Sequence, residues 1–143
     1  MTLLGKLATL DTRERRLLAR AVVWIVAVRV GLRVLPYGRL SALVDRASKL
    51  GALDASPSIE EVRWALQAAA RRLRGTQCLA WAIACHGLLG QAGFPSGLRI
   101  GVAKTREGRL RAHAWVECRG TALSWGDDQR AYALLEPVLG GDL

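Results

Sequence analysis

Residues 78–91 read CLAWAIACHGLLGQ, a run without a single Asp, Glu, Lys or Arg. A stretch of this length, apolar on every side despite Gly87, predicts a helix at the centre of a domain. The flanking segments set the fold class. Immediately upstream, Ser58 and Glu61 form an S-x-x-E capping box, and Ile59, Val62, Leu66, Ala69 and Leu73 recur at three- and four-residue steps before Gly75 ends the helix. Earlier still, Asp11 can cap a long helix reaching about residue 34, which Pro36 and Gly38 end. A short helix over about 40–50 then precedes the loop GALDASPS at 51–58. Downstream of a turn at 93–97 the period changes to that of strands, over 98–103, 110–118 and 121 to about 125. Hairpins at 106–108 and at Arg119-Gly120 join them. The expected fold is α+β, with a helical first half and then a central helix packed on a small antiparallel sheet. A single domain spans 1–143, divided into a helical portion, 1–74, and a core, 75–143.

With 143 residues, half of them apolar, the chain suits one compact core rather than disorder. The formal charge of +9 attracts acidic peptides, nucleic acids or anionic membranes at long range, which bears on encounter and not on fold. Three cysteines without a C-x-x-C pair fit neither a disulfide framework nor a zinc spacing, so a reducing cytoplasm is expected and no metal or cofactor. The run AVVWIVAV at 21–28 follows a basic N-terminus as a signal peptide does, but Arg20 and Arg29 leave only eight uncharged residues between them. A spanning helix needs about 20, and no A-x-A-type cleavage site follows. Arg13, Arg16 and Arg20 share one helical face while Arg29 and Arg33 fall near the opposite one, so no continuous basic face lies against lipid. The run reads as a helix buried around its middle.

The chemistry concentrates in the second half. Cys78 opens the central helix directly after a Gly-Thr-Gln turn, where the helix dipole and unpaired N–H groups favour a thiolate and can hold an oxyanion. Taken alone it reads rather as a small buried hydrophobe, as most free cysteines are. His113 supplies a second member, in the strand RAHAWVEC at 111–118. Alternation puts His113, Trp115 and Glu117 on one face and Ala114, Val116 and Cys118 on the other, which suits the core. The third member is an acid that fixes the imidazole tautomer. With a two-residue turn at Arg119-Gly120, Asp128 lies diagonally on the histidine's face, and a single bulge puts Asp127 there instead. Both stay open. Cys85, two turns deeper on the helix, and Cys118, pointing away from His113, have structural readings, and His86 is turned about 80 degrees from Cys78 on the wheel.

The stretch CLAWAIACHGLLGQAGFPSGLRIGVAK, then LRAHAWVECRG and a downstream acid, resembles the transglutaminase-like leader peptidases of bacterial lasso-peptide (RiPP) biosynthesis. The resemblance covers roughly residues 72–137 and rests on a Cys-Leu helix start, a Leu-Arg-Ile-Gly-Val strand and Ala-His-Ala-Trp-Val-Glu. It implies a cysteine peptidase that cuts the leader from a ribosomally made precursor before a separate ATP-dependent cyclase closes the macrolactam. It also implies Cys78 as nucleophile, His113 as general base and Asp127 or Asp128 as orienting acid. Some members of that family carry a further N-terminal winged-helix-like module that grips the leader. This helical first half is similar to the stand-alone form, which relies on a separate leader-binding protein. Two other classes remain open: an acyltransferase using the same triad, and a basic module holding RNA or acidic protein through Arg71, Arg72 and Arg74. No nucleic-acid motif or aromatic platform supports RNA, and cations at a helix C-terminus suit the dipole in any case.

Overall fold

The computed structural model describes residues 10–49, 57–104, 106–125 and 133–134, and local chemistry explains where its helices begin and end. Helix α1 spans Thr12–Val34, its Asp11 cap accepting from Glu14 N–H at 2.7 Å. Helix α3, Ile59–Arg72, starts at the full capping box, with Ser58 and Glu61 each accepting from the other's backbone N–H at 3.1 Å. Helix α4, Cys78–Gln91, has the bounds that its composition predicts. Helix α2, Tyr37–Lys49, begins earlier than expected. Pro36 stops α1 but also opens α2, its carbonyl accepting from the N–H groups of Arg39 and Leu40, both at 3.1 Å, and Gly38 lies within the first turn. A proline at a helix start gives up an N–H that had no intrahelical partner there, so one residue serves both ends.

The strands are β1 Gly97–Lys104, β2 Leu110–Cys118, β3 Thr121–Leu123 and the two-residue β4 Ala133–Leu134. They form one antiparallel sheet in the order β3-β2-β1-β4. At the β2–β3 turn Arg119 and Gly120 have φ of 51° and 77°. Two positive φ values define the type I′ turn, which matches strand twist and sets Cys118 opposite Thr121. Strand β3 ends at Leu123, short of the expected 125, and the two-residue β4 on the far edge of β1 is too short to leave an alternation in the sequence.

Helix α4 is the hub. It packs against α1, α2 and α3 on one side and against β2 and β1 on the other. Every residue from Ala80 to Leu89 is buried, and each large side chain such as Trp81 or Leu88 contributes about 1.5–3 kcal/mol by leaving water. Two glycines permit the close approach of its neighbours. A Cβ at Gly87 would stand 2.8 Å from Trp24 Cε3 and nearer still to Cζ3 and Cη2, and one at Gly90 would stand 2.6 Å from Ser48 Cβ. The fold therefore needs glycine at both positions to seat α1 and α2.

One expectation for α1 fails. Leu17, Leu18, Ala21, Trp24, Ile25 and Val28 point inward, but Val23, Val26, Val30 and Val34 are exposed. The helix is therefore not buried around its middle. It lies on α3 and α4 by one face, and no described residue covers the other enough to hide those valines.

Candidate active site

Gly75, at φ +76°, turns the chain out of α3, and Thr76 Oγ1 donates to the carbonyl of Leu73 at 2.8 Å. The turn delivers Cys78 to the first position of α4, half-buried and packed against the core. Gln77 is the N-cap residue, and its side chain makes no capping hydrogen bond. Helices α1 and α3 begin with a side chain that accepts from the first turn. At α4 the first turn also lacks an acid, so the orphan N–H groups of a helix start are left beside the thiol. Arg29 and Arg33 of α1 line a small cleft of about 140 Å³ next to this end, together with Gly75, Gln77 and Ala80.

His113 lies in β2, buried at only 4% exposed. Its cross-strand partner is Gly101, which sets no side chain directly opposite the imidazole. On the same face Trp115 stacks on the ring, centroids 6.0 Å apart and planes 24° apart. Trp115 Nε1 donates to Glu117 Oε1 at 3.4 Å, and Arg99 Nε pairs with Glu117 Oε2 at 3.5 Å. Arg99 stands opposite Trp115 in the register and is buried. The ring thus rests on a tryptophan held in turn by a carboxylate and a guanidinium. Sequence reading missed this chain, because pairing Arg99 with Trp115 requires the β1–β2 register, which the Arg119-Gly120 turn between β2 and β3 does not set.

The opposite face of β2 carries Ala114, Val116 and Cys118 into the core, as alternation requires. Burial pushes the Cys85 thiol far up, with the neighbouring Cys118 adding to the shift against a smaller lowering by Arg63. Burial likewise raises Cys118, partly offset by Arg119, and Cys118 Sγ donates to the Pro95 carbonyl at 3.5 Å. Both are thiols of the interior.

Cys78 and His113 lie on two elements that pack together, α4 and β2, through the face of β2 that carries Ala114, Val116 and Cys118, with His113 on the other face of the strand. Asp127 and Asp128 lie outside the described residues. His86 is drawn into a different cluster. Its Nε2 faces Asp45 Oδ1 at 3.1 Å and its Nδ1 faces Ser96 Oγ at 2.8 Å. An ionised carboxylate only accepts, so Nε2 carries the proton and Nδ1 accepts from the serine hydroxyl. The cluster ties α2, α4 and the entry to β1 together, a contact that no local signal reveals. Among the described residues no group of three or more His, Cys, Asp or Glu side chains is placed to hold a metal ion, and no helix is long and apolar enough to cross a membrane.

The family model described as the transglutaminase-like superfamily matches residues 22–139 of this chain. No curated protein and no solved structure matches it.

Proposed function

The chain belongs to the transglutaminase-like superfamily, and from that premise we propose that it is a cysteine peptidase that removes the leader of a lasso-peptide precursor. Cys78 is the nucleophile, His113 the general base, and Asp127 or Asp128 the acid that orients the imidazole. The observation that carries this reading is the start of α4, where a half-buried thiol sits at a first turn without a side-chain cap while the helix packs on the strand of a buried histidine.

In the proposed cycle His113 takes the thiol proton as Cys78 Sγ attacks the scissile carbonyl carbon. The oxyanion accepts hydrogen bonds from N–H groups of the first turn of α4. Collapse breaks the C–N bond, and the imidazolium gives its proton to the departing amine of the core peptide. The leader then remains as a thioester on Cys78. Water, deprotonated by His113, adds to that thioester and releases the leader acid, with the proton returned to sulfur. The Trp115–Glu117–Arg99 chain supports the imidazole in its plane through the stacked ring.

Binding an extended, flexible leader costs conformational entropy that limits its affinity for a single catalytic site. The reading therefore includes a separate leader-binding protein that raises the local precursor concentration without altering the chemistry, with the ATP-dependent cyclase acting afterwards. The test is mass spectrometry of precursor incubated with enzyme, with and without that partner. Slow cleavage alone and strong acceleration by the partner support the reading. Full-rate cleavage by the lone enzyme removes the delivery step, and cleavage by the Cys78→Ala protein removes the mechanism.

A further inference from the structure

Helix α1 presents an apolar stripe to solvent. Val23, Val26, Val30 and Val34 are 66, 43, 54 and 69% exposed, and they follow at steps of three and four residues, so they share one face with Ala19 and Ala27. Four adjacent valines left in water on one face of a soluble domain form a contiguous patch of the kind that marks an interaction site. Beside the first half of the stripe lies a hollow of about 480 Å³ whose floor is Ala19, Val23, Trp24, Ala27 and Ala47 and whose rim carries Arg20 and Gln91, so the basic end of the stripe extends from Arg16 to Arg20. A hollow of that kind accepts one large anchoring side chain from a partner. The ends of the stripe are basic. Exposed Arg16 lies on the same face two turns before Val23, and exposed Arg33 flanks Val34.

We propose that this face of α1 docks an amphipathic helix of a partner protein, apolar along its middle and acidic at both ends. The proposal is independent of the peptidase reading. The occupant follows from charge. The seventeen residue steps from Arg16 to Arg33 correspond to about 25 Å of helix, so the partner helix spans about five turns with its carboxylates near the termini. A second copy of this chain does not fit: an antiparallel pairing sets Arg16 of one copy against Arg33 of the other, a parallel one sets like arginines together, and each copy carries a formal charge of +9. A lipid surface is disfavoured too. Interfacial helices place Trp or Phe on the apolar face, whereas Trp24, the sole aromatic residue of α1, is buried with its Nε1 donating to Gln91 Oε1 at 3.0 Å.

The test uses two synthetic helices of about 18 residues with the same leucine face, one with Glu at both ends and one with Lys, titrated against the full chain by fluorescence anisotropy at low salt. The Glu peptide binds at least about tenfold tighter than the Lys peptide. A Val26→Ser/Val30→Ser protein loses at least about tenfold in that affinity, the effect of removing two apolar anchors. These valines are exposed, so circular dichroism shows the variant folded as the parent. An Arg16→Glu/Arg33→Glu protein reverses the preference toward the Lys peptide. Equal binding of the two peptides, no binding, or binding unaffected by the valine substitutions overturns the proposal. So does concentration-dependent dimerisation abolished by the valine substitutions, or uptake onto vesicles of three parts phosphatidylcholine to one part phosphatidylglycerol that the same substitutions abolish.

Discussion

Gly87→Ala gives the most discriminating test of how the hub helix is built. By helix propensity alone the change stabilises, because Ala in a helix interior is about 1 kcal/mol better than Gly. The structure reverses the sign. A Cβ at position 87 stands 2.8 Å from Trp24 Cε3 and closer still to two further ring atoms, and the indole cannot slide away freely because its Nε1 donates to Gln91 Oε1 at 3.0 Å. Forcing a methyl into such a contact costs about 1–3 kcal/mol in displaced packing, and losing the indole hydrogen bond adds about 1 kcal/mol. Shifting a mostly buried tryptophan also re-exposes part of its apolar area. The net expectation is a loss of about 1–3 kcal/mol, read as a drop of roughly 3–12 °C in Tm for a domain of this size. Urea unfolding followed by circular dichroism measures it, with unchanged m confirming a two-state comparison. In a Trp24→Leu background the same Gly87→Ala change costs less, because the obstructing ring is gone. A Gly87→Ala protein as stable as its parent, or more stable by the propensity increment, refutes the seating of Trp24 on α4.

At neutral pH an iodoacetamide-type probe labels Cys78 ahead of Cys85 and Cys118, whose thiols burial holds protonated and covered; peptide mapping decides, and preferential labelling of Cys118 contradicts the assignment. Because the folded state holds the Cys85 proton to a higher pH than the unfolded chain, whose thiols titrate near about 8.5, stability is full below that pH and falls above it by up to about 1.4 kcal/mol per pH unit. Denaturation midpoints measured from pH 7 to 10 show that decline, and Cys85→Ala makes it shallower, the raised Cys118 thiol contributing the rest. On the proposed triad, replacing Asp127 and Asp128 singly by Asn gives one strong loss of turnover and one near-neutral result, because a single acid orients the imidazole; two near-neutral results place the acid elsewhere. His86→Leu leaves the buried Ser96 hydroxyl without its ring partner and costs about 2–3 kcal/mol, with a double-mutant cycle against Ser96→Ala returning a coupling of about 1 kcal/mol.

What the sequence yields here depends on the range of the interaction. The bounds of α4, the Asp11 cap, the Ser58–Glu61 box and the Arg119-Gly120 turn are set by residues within four positions of one another, and each is legible. Pro36 misleads because one residue can end a helix and start the next, and only the chain direction after it distinguishes the two. The open face of α1 is not legible either: its apolar composition calls for burial all round, while the number of elements available to cover it is a property of the whole fold. The Asp45–His86–Ser96 cluster joins positions 41 and 10 residues apart through packing that no period records. At the site, Cys78 is readable because a helix start is local, and the face of His113 because strands alternate. The Trp115–Glu117–Arg99 support requires the β1–β2 register, which comes from a hairpin turn and not from the residues themselves.

The central claim is that Cys78 forms the covalent intermediate. Precursor, leader-binding partner and enzyme are mixed, quenched in acid within seconds, and the intact enzyme is weighed by mass spectrometry. The account predicts a species heavier by the leader mass less one water, mapped to Cys78 as a thioester, discharged by hydroxylamine and absent from the Cys78→Ala protein. Precursor cleavage with the adduct on Cys85 or Cys118, or cleavage that continues in the Cys78→Ala protein, contradicts it.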